Sequence, residues 1–138
     1  MIEFGEKIPG QNYVERPGAY AIIEKDGLYA IVKNPKGFFL LGGGIEKDET
    51  PEEALHRETR EEIGWSIMIH KKIGVAKQHI YVPEANVYIS KEGHFYKANL
   101  LEQLAEAGET THELQWLPKE DVLRKVFHAS HRWALEQN

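Results

Sequence analysis

Cysteine is absent from this chain of 138 residues. That excludes a disulfide scaffold, a thiolate metal site and a cysteine nucleophile, and it suits a cytoplasmic protein. No apolar run approaches the ~20 residues that a membrane-spanning helix needs, so no membrane contact is expected. The opening stretch, MIEFGEKIPG, has neither the basic segment nor the apolar stretch of a signal peptide. Cations are also in short supply. Lysine and arginine number 17 against 22 aspartates and glutamates, for a net charge of −5. A general nucleic-acid binder is not expected from this balance, because phosphate contacts need clustered cations. Repeats, low-complexity tracts and linkers are missing too. What is there is ordinary: 41% hydrophobic residues in a length suited to one core. A single domain over residues 1–138 is the expectation.

The pattern alternates strands with few helices. AYAIIEKDGLYAIVKN reads as a hairpin about Asp26-Gly27, a dipeptide suited to a tight turn with positive φ. NPKG, Asn34 to Gly37, marks a second turn, and the short strand FFLL then ends at Gly42, Gly43 and Gly44. Helical signals converge on Pro51 to Ile63. Thr50 is placed as N-cap, Pro51 as the first helical residue, Glu53 as the partner of a capping box, and Gly64 as the stop. Leu55, Thr59 and Ile63, with Ala54 beside them, make the buried stripe. WSIMIHKKIGVAKQHIYV reads as a long strand, bent or interrupted near Gly74. NVYIS and HFYKANLLEQ read as two strands turned at Glu92-Gly93, LQWL as a short strand, and PKEDVLRKV and ASHRWALEQN as closing helices. The class is α/β, with a sheet covered on both faces.

One stretch concentrates like charge. Glu58, Glu61 and Glu62 stand at helical spacings i, i+3 and i+4, which place three carboxylates on one face. By itself this arrangement destabilises a helix. The spacing alone favours a solvated face, with Arg57 and Arg60 neutralising their neighbours, over a metal site. The alternative is a ligand set for a hard cation, since Mg²⁺ and Mn²⁺ prefer carboxylate and carbonyl oxygens.

The wider pattern reverses that preference. From Gly43 the chain runs five residues to Glu49, seven more, then Arg57-Glu58-Thr59-Arg60-Glu61-Glu62-Ile63-Gly64-Trp65. This resembles the signature of the Nudix hydrolases, with every charged and glycine position filled. Thr59 departs from it, standing where an aliphatic residue is usual. The resemblance implies an α/β/α sandwich with a mixed central sheet and a loop-helix-loop at residues 43–65. It implies hydrolysis of the pyrophosphate linkage of a nucleoside diphosphate joined to another moiety, with Mg²⁺ or Mn²⁺ as cofactor. A small nucleotide would be the substrate, and homodimers occur in the family. Carried over by position, Glu58, Glu61 and Glu62 would bind metal together with the Gly43 carbonyl, and Glu58 is a candidate base. Arg57 would orient a motif glutamate, Glu49 would support the loop-helix geometry or hold an outer metal, and Gly64 would close the helix.

Many relatives place a further glutamate on a later loop, as metal ligand or base. In AEAGETTHELQW the choice is Glu109, then Glu113, then Glu106. Arg16, Lys33 and Lys36 read as surface charge or as flanks to phosphates. Phe38, Phe39 and Trp116 read as core or as base-stacking rings. Tyr81 and Pro83 both resemble substrate markers and so leave the choice open. A nucleoside triphosphate pyrophosphatase of MutT type is the leading subclass. ADP-ribose, nucleotide-sugar and dinucleoside-polyphosphate hydrolysis stay open, as do a non-catalytic nucleotide- or protein-binding module and an RNA pyrophosphohydrolase. The seven histidines, His56, His70, His79, His94, His112, His128 and His131, show no zinc spacing and read as surface or packing residues.

Overall fold

Asp26 and Gly27 take φ angles of 54° and 80°, so the first hairpin turns where its sequence demands. It joins β2 (Tyr13–Lys25) to β3 (Leu28–Asn34). The structure, a computed structural model, describes residues 1–104 and 113–138. A turn at residues 35–36 leads into β4 (Gly37–Phe39), with the Asn34 side chain accepting from the Lys36 amide at 2.8 Å.

The glycines do not merely end a strand. Leu41–Gly44 is itself a strand, β5. β3 parts from β2 after two pairs, Glu24 with Tyr29 and Lys25 with Leu28. β5 takes the vacated edge, pairing Ala19 with Gly43 and Gly18 with Gly44. This exchange sets Gly43 beside Ala19 and against Glu58 of the motif.

Every helical signal of the motif is realised in α1 (Pro51–Ile63). The Thr50 hydroxyl accepts from the Glu53 amide at 3.1 Å, and the Glu53 carboxylate accepts from the Thr50 amide at 2.8 Å. Gly64 closes the helix at φ 75°. Ala54, Leu55, Thr59 and Ile63 are buried as the stripe predicts, with Glu62 added to them. Thr59 replaces an aliphatic side chain without stranding its hydroxyl, which donates to the His56 carbonyl at 3.2 Å.

β6 (Trp65–Val82) and β7 (Val87–Gln103) form a long antiparallel ribbon with register shifts between Trp65 and Gly74. The turn expected at Glu92-Gly93 does not exist, because β7 runs through it. Gly93 has neighbours on both sides, Ala76 of β6 and Gly18 of β2. It is small because the Phe95 ring lies over it; a methyl group there would stand 2.7 Å from that ring. A further strand, β1 (Ile2–Phe4), pairs in parallel with β6.

Beyond the hairpins, β8 (Glu113–Leu117) pairs with β3, followed by α2 (Lys119–Lys125) and α3 (Ala129–Glu136). The sheet order is β1-β6-β7-β2-β3-β4, with β5 against β2 and β8 against β3. Strand alternation in β2 divides the core. Ala21 and Ile23 face α1 with Leu55 and Ile63. Ile22 faces the other way, with Phe95, Val122 and Leu135. The mixed sheet therefore lies between α1 and the α2–α3 pair, the α/β/α sandwich the sequence resemblance implies.

Candidate active site

The site grows from the meeting of β5 and α1. A methyl group built on Gly43 would lie 2.5 Å from the Glu58 carboxylate. Any side chain at residue 43 would therefore occupy the place that Glu58 fills. One residue before Glu58, Arg57 is the hub. Its Nε and Nη2 donate to the two oxygens of Glu49 at 2.7 and 3.0 Å. Nη1 donates to Glu58 Oε1 at 3.0 Å and to Glu61 Oε2 at 3.2 Å, and Nη2 also donates to the Gly44 carbonyl at 2.8 Å. Glu46 adds a fourth carboxylate at 3.7 Å. This planar cation ties helix to loop in a way a point charge cannot. The hydrogen bond from Arg57, with the Glu46 amide second, holds Glu49 below the usual carboxylate range, and Glu49 in turn pushes the guanidinium up.

The three carboxylates that helical spacing places on one face differ in exposure and partners. Glu62 is 2% exposed, and its Oε1 accepts from the Gly42 amide at 3.1 Å. Glu58 is largely covered, between Arg57 and Gly43, and Glu61 is 49% exposed. Among the described residues no group of three or more histidines, aspartates or glutamates converges as an ion-holding set. Arg57 Nη1 offsets the repulsion between Glu58 and Glu61 by bonding both, and the Gly42 amide holds Glu62. The donor chemistry nevertheless fits Mg²⁺ or Mn²⁺. Glu58, Glu61, Glu62 and the Gly43 carbonyl offer the hard oxygens such ions prefer, and glycine leaves the ground in front of Glu58 clear.

A groove of about 410 Å³ opens beside this cluster, with Arg16, Pro17, Tyr20, Gly44, Ile45 and Lys91 in its wall. Tyr20, to which no sequence signal points, lies within the electrostatic reach of the motif carboxylates. Burial first, and then the charges of Glu58 and Glu62, push its hydroxyl up to about 12, so it stays protonated. A larger groove, about 750 Å³, lies between Trp65 and Trp116. Among the described residues no motif carboxylate lines either groove, but the smaller one holds Gly44 and Tyr20, whose hydroxyl feels the charges of Glu58 and Glu62.

The other expectations divide. Glu109 and Glu106 lie outside the described residues. Glu113 opens β8 opposite Lys33. Tyr81 donates to Asn86 at 2.8 Å near the tip of the β6–β7 hairpin, where Pro83 also lies; neither lines the smaller groove. Phe39 and Trp116 pack against the core on the α1 face and Phe38 against the other. His128 and His131 are buried, with rings 5.3 Å apart, as packing residues. His79 is buried between Ser90 at 2.7 Å and Glu3 at 2.6 Å, tying β1 to the ribbon.

Comparisons with known proteins agree with this geometry. The family model for the NUDIX domain matches residues 15–137. A nucleoside triphosphatase NudI of Escherichia coli is 42% identical over 55 residues, covering 35% of this chain and 39% of that protein. The NudI of Shigella flexneri matches equally. The matched segment is thus well under half of these curated relatives. Among solved structures, a NUDIX hydrolase from Nitrosomonas europaea has a TM-score of 0.73 at 18% identity, covering 90% of this chain and 88% of its own. The MutT protein from Methanosarcina mazei has 0.69 at 17%, covering 93% and 95%. At such identity these two speak for the fold. With a family match over most of its length and every charged and glycine position of the motif in place, this chain belongs to the Nudix family.

Proposed function

We propose that this protein is a divalent-cation-dependent hydrolase that cleaves the pyrophosphate linkage of a nucleoside diphosphate joined to another moiety, with nucleoside triphosphates as its substrate class. One observation carries the reading: the Glu58 carboxylate is pinned between the Arg57 guanidinium and a glycine that exists to make room for it. In the reaction, water attacks a phosphorus atom, one phosphoanhydride P–O bond breaks, and nucleoside monophosphate and pyrophosphate leave. Positioning and electrostatics supply most of such catalysis. Glu58 accepts the proton of the attacking water. Arg57 holds its Oε1, and Glu49 holds Arg57, so the base is oriented in advance. Glu62 fixes the glycine strand through the Gly42 amide. A Mg²⁺ or Mn²⁺ ion held by Glu58, Glu61, Glu62 and the Gly43 carbonyl supplies, when bound, neutralisation of phosphate charge and an acidified water.

The NudI relatives are nucleoside triphosphatases, which supports the triphosphate subclass. Absence of cysteine supports a cytoplasmic site of action. No helix among the described residues is long and apolar enough to cross a membrane. The test is a panel of nucleoside triphosphates, nucleotide sugars, ADP-ribose, dinucleoside polyphosphates and triphosphorylated RNA, assayed with Mg²⁺ and with Mn²⁺. Triphosphates are expected to turn over fastest, and Glu58→Gln to abolish that turnover. If no pyrophosphate compound is cleaved at any cation concentration, the chain is a binding module and the proposal fails.

A further inference from the structure

The parallel pairing of β2 and β7 builds three rungs along the smaller groove. Arg16 stands beside Lys91, Gly18 beside Gly93, and Tyr20 beside Phe95. Alternate residues share a face, and this face is the one α3 covers: His131 lies 4.5 Å from the Tyr20 ring, which stacks on Phe95 at 5.7 Å. Both rings fold back over the glycine rung. A methyl group on Gly18 would lie 2.8 Å from the Tyr20 hydroxyl and 3.1 Å from the Gly43 carbonyl oxygen. The groove thus holds the two cations and Tyr20 and reaches Gly44, next to the motif glycine Gly43. Gly18 pairs with Gly44, so the cation rung lies about 7 Å along the strands from the motif.

Lys91 is electrostatically unfinished. It is half-buried, yet among the described residues it forms no ion pair with a carboxylate. Its Nζ meets His128 Nε2 at 3.2 Å. That imidazole is neutral, since burial and then the Lys91 charge pull it down to about 3. Glu15, also in the groove wall, is held by Lys77 at 3.2 Å. Burial and the nearby Lys36 charge both act against the Lys91 ammonium. A covered cation set between another cation and a neutral acceptor costs free energy unless an anion arrives.

We infer that Lys91, seconded by Arg16, is a specificity residue that receives the substrate phosphate farthest from the nucleoside, so that the groove selects phosphoryl-terminated substrates over those ending in a sugar. The inference rests on the reading of the site as a pyrophosphohydrolase and names its substrate's far end. It is tested with the whole chain and its Lys91→Met and Lys91→Arg variants. In each, kcat/KM is measured for a nucleoside triphosphate and for a nucleotide sugar with the same base. The ratio of the two is expected to fall at least about tenfold in Lys91→Met, through KM, and to recover in Lys91→Arg. A ratio unchanged in Lys91→Met, or lowered through kcat alone, overturns the inference while the hydrolase assignment stands. Calorimetric titration with inorganic tripolyphosphate reads Lys91 without turnover. Weaker binding by Lys91→Met supports the site even if no substrate is cleaved, and equal binding overturns it. Thermal unfolding checks that Lys91→Met folds; relief of a half-buried charge is expected to leave its midpoint the same or higher.

Discussion

Two adjacent glycines are predicted to fail in different ways when replaced by alanine. At Gly43 the backbone does not take a positive φ, so alanine is compatible with the strand. The obstacle is the Glu58 carboxylate, 2.5 Å from the new methyl carbon. Ordinary contact begins near 3.4 Å, so the carboxylate must retreat by about 1 Å, which the end of a flexible side chain does cheaply. Misplacement on that scale costs a reaction about 100-fold, or about 2.7 kcal/mol of barrier. Stability should hold, since Gly→Ala at a compatible position gains about 0.4–1 kcal/mol through the unfolded chain. At Gly42 the opposite applies. Its φ is +136°, and a methyl group would stand 2.0 Å from the Ala19 carbonyl oxygen, a backbone atom that cannot swing away. Strain of about 1–3 kcal/mol is expected from the dihedral alone, and the clash adds to it. Urea denaturation and steady-state kinetics on both variants make the comparison. A Gly43→Ala enzyme with native activity would refute the role given to Glu58, and a Gly43→Ala chain as unstable as Gly42→Ala would refute the steric reasoning.

The remaining predictions concern charge. Glu61→Gln should lower kcat more than about tenfold with an unchanged melting midpoint, because the side chain is 49% exposed; native turnover in this variant would remove Glu61 from the cation-binding set. Arg57→Lys keeps the charge but loses the fork onto Glu49, so kcat should drop about ten- to a hundredfold with KM little changed, as stopped assays over a substrate series would show. Burial pulls both His128 and His131 below the ordinary 6.5, so the unfolded chain binds protons that the folded one refuses. Stability is therefore fully present above 6.5 and lost as pH falls, with a limiting slope of about 2.7 kcal/mol per pH unit for two such groups. His131→Asn should halve that slope in urea titrations between pH 7 and pH 5. Glu49, whose carboxylate is held low, contributes above its ordinary 4.5 and loses that contribution only as pH falls below it.

The motif helix was legible because its signals are local. Thr50, Pro51, Glu53 and Gly64 each act within one turn of the backbone, so their spacing is enough. The same holds for the Asp26-Gly27 turn. Glu92-Gly93 is not legible in the sequence, for the converse reason. A Glu-Gly pair looks like a turn until one sees strands on both sides and the Phe95 ring lying over Gly93. The glycine run was read as a strand's end because nothing local shows that β3 leaves β2 and vacates an edge. Tyr20 and Lys91 went unnoticed because each matters only through partners distant in the chain, Glu58 and Glu62 for one and His128 for the other.

By itself, the order of residues determined the motif and the family it belongs to. Glycine, arginine and glutamates at fixed intervals on a capped helix can be read without knowing what surrounds them, since helical geometry relates them at short range. Only the tertiary structure decided which partners they meet. It gave Glu58 and Glu61 a shared partner in Arg57 Nη1 and Glu62 a partner in the Gly42 amide. It also laid β2 beside β7, which brings Arg16 and Lys91 together across many intervening residues. Charges interact through space, and long-range pairing sets which charges are neighbours.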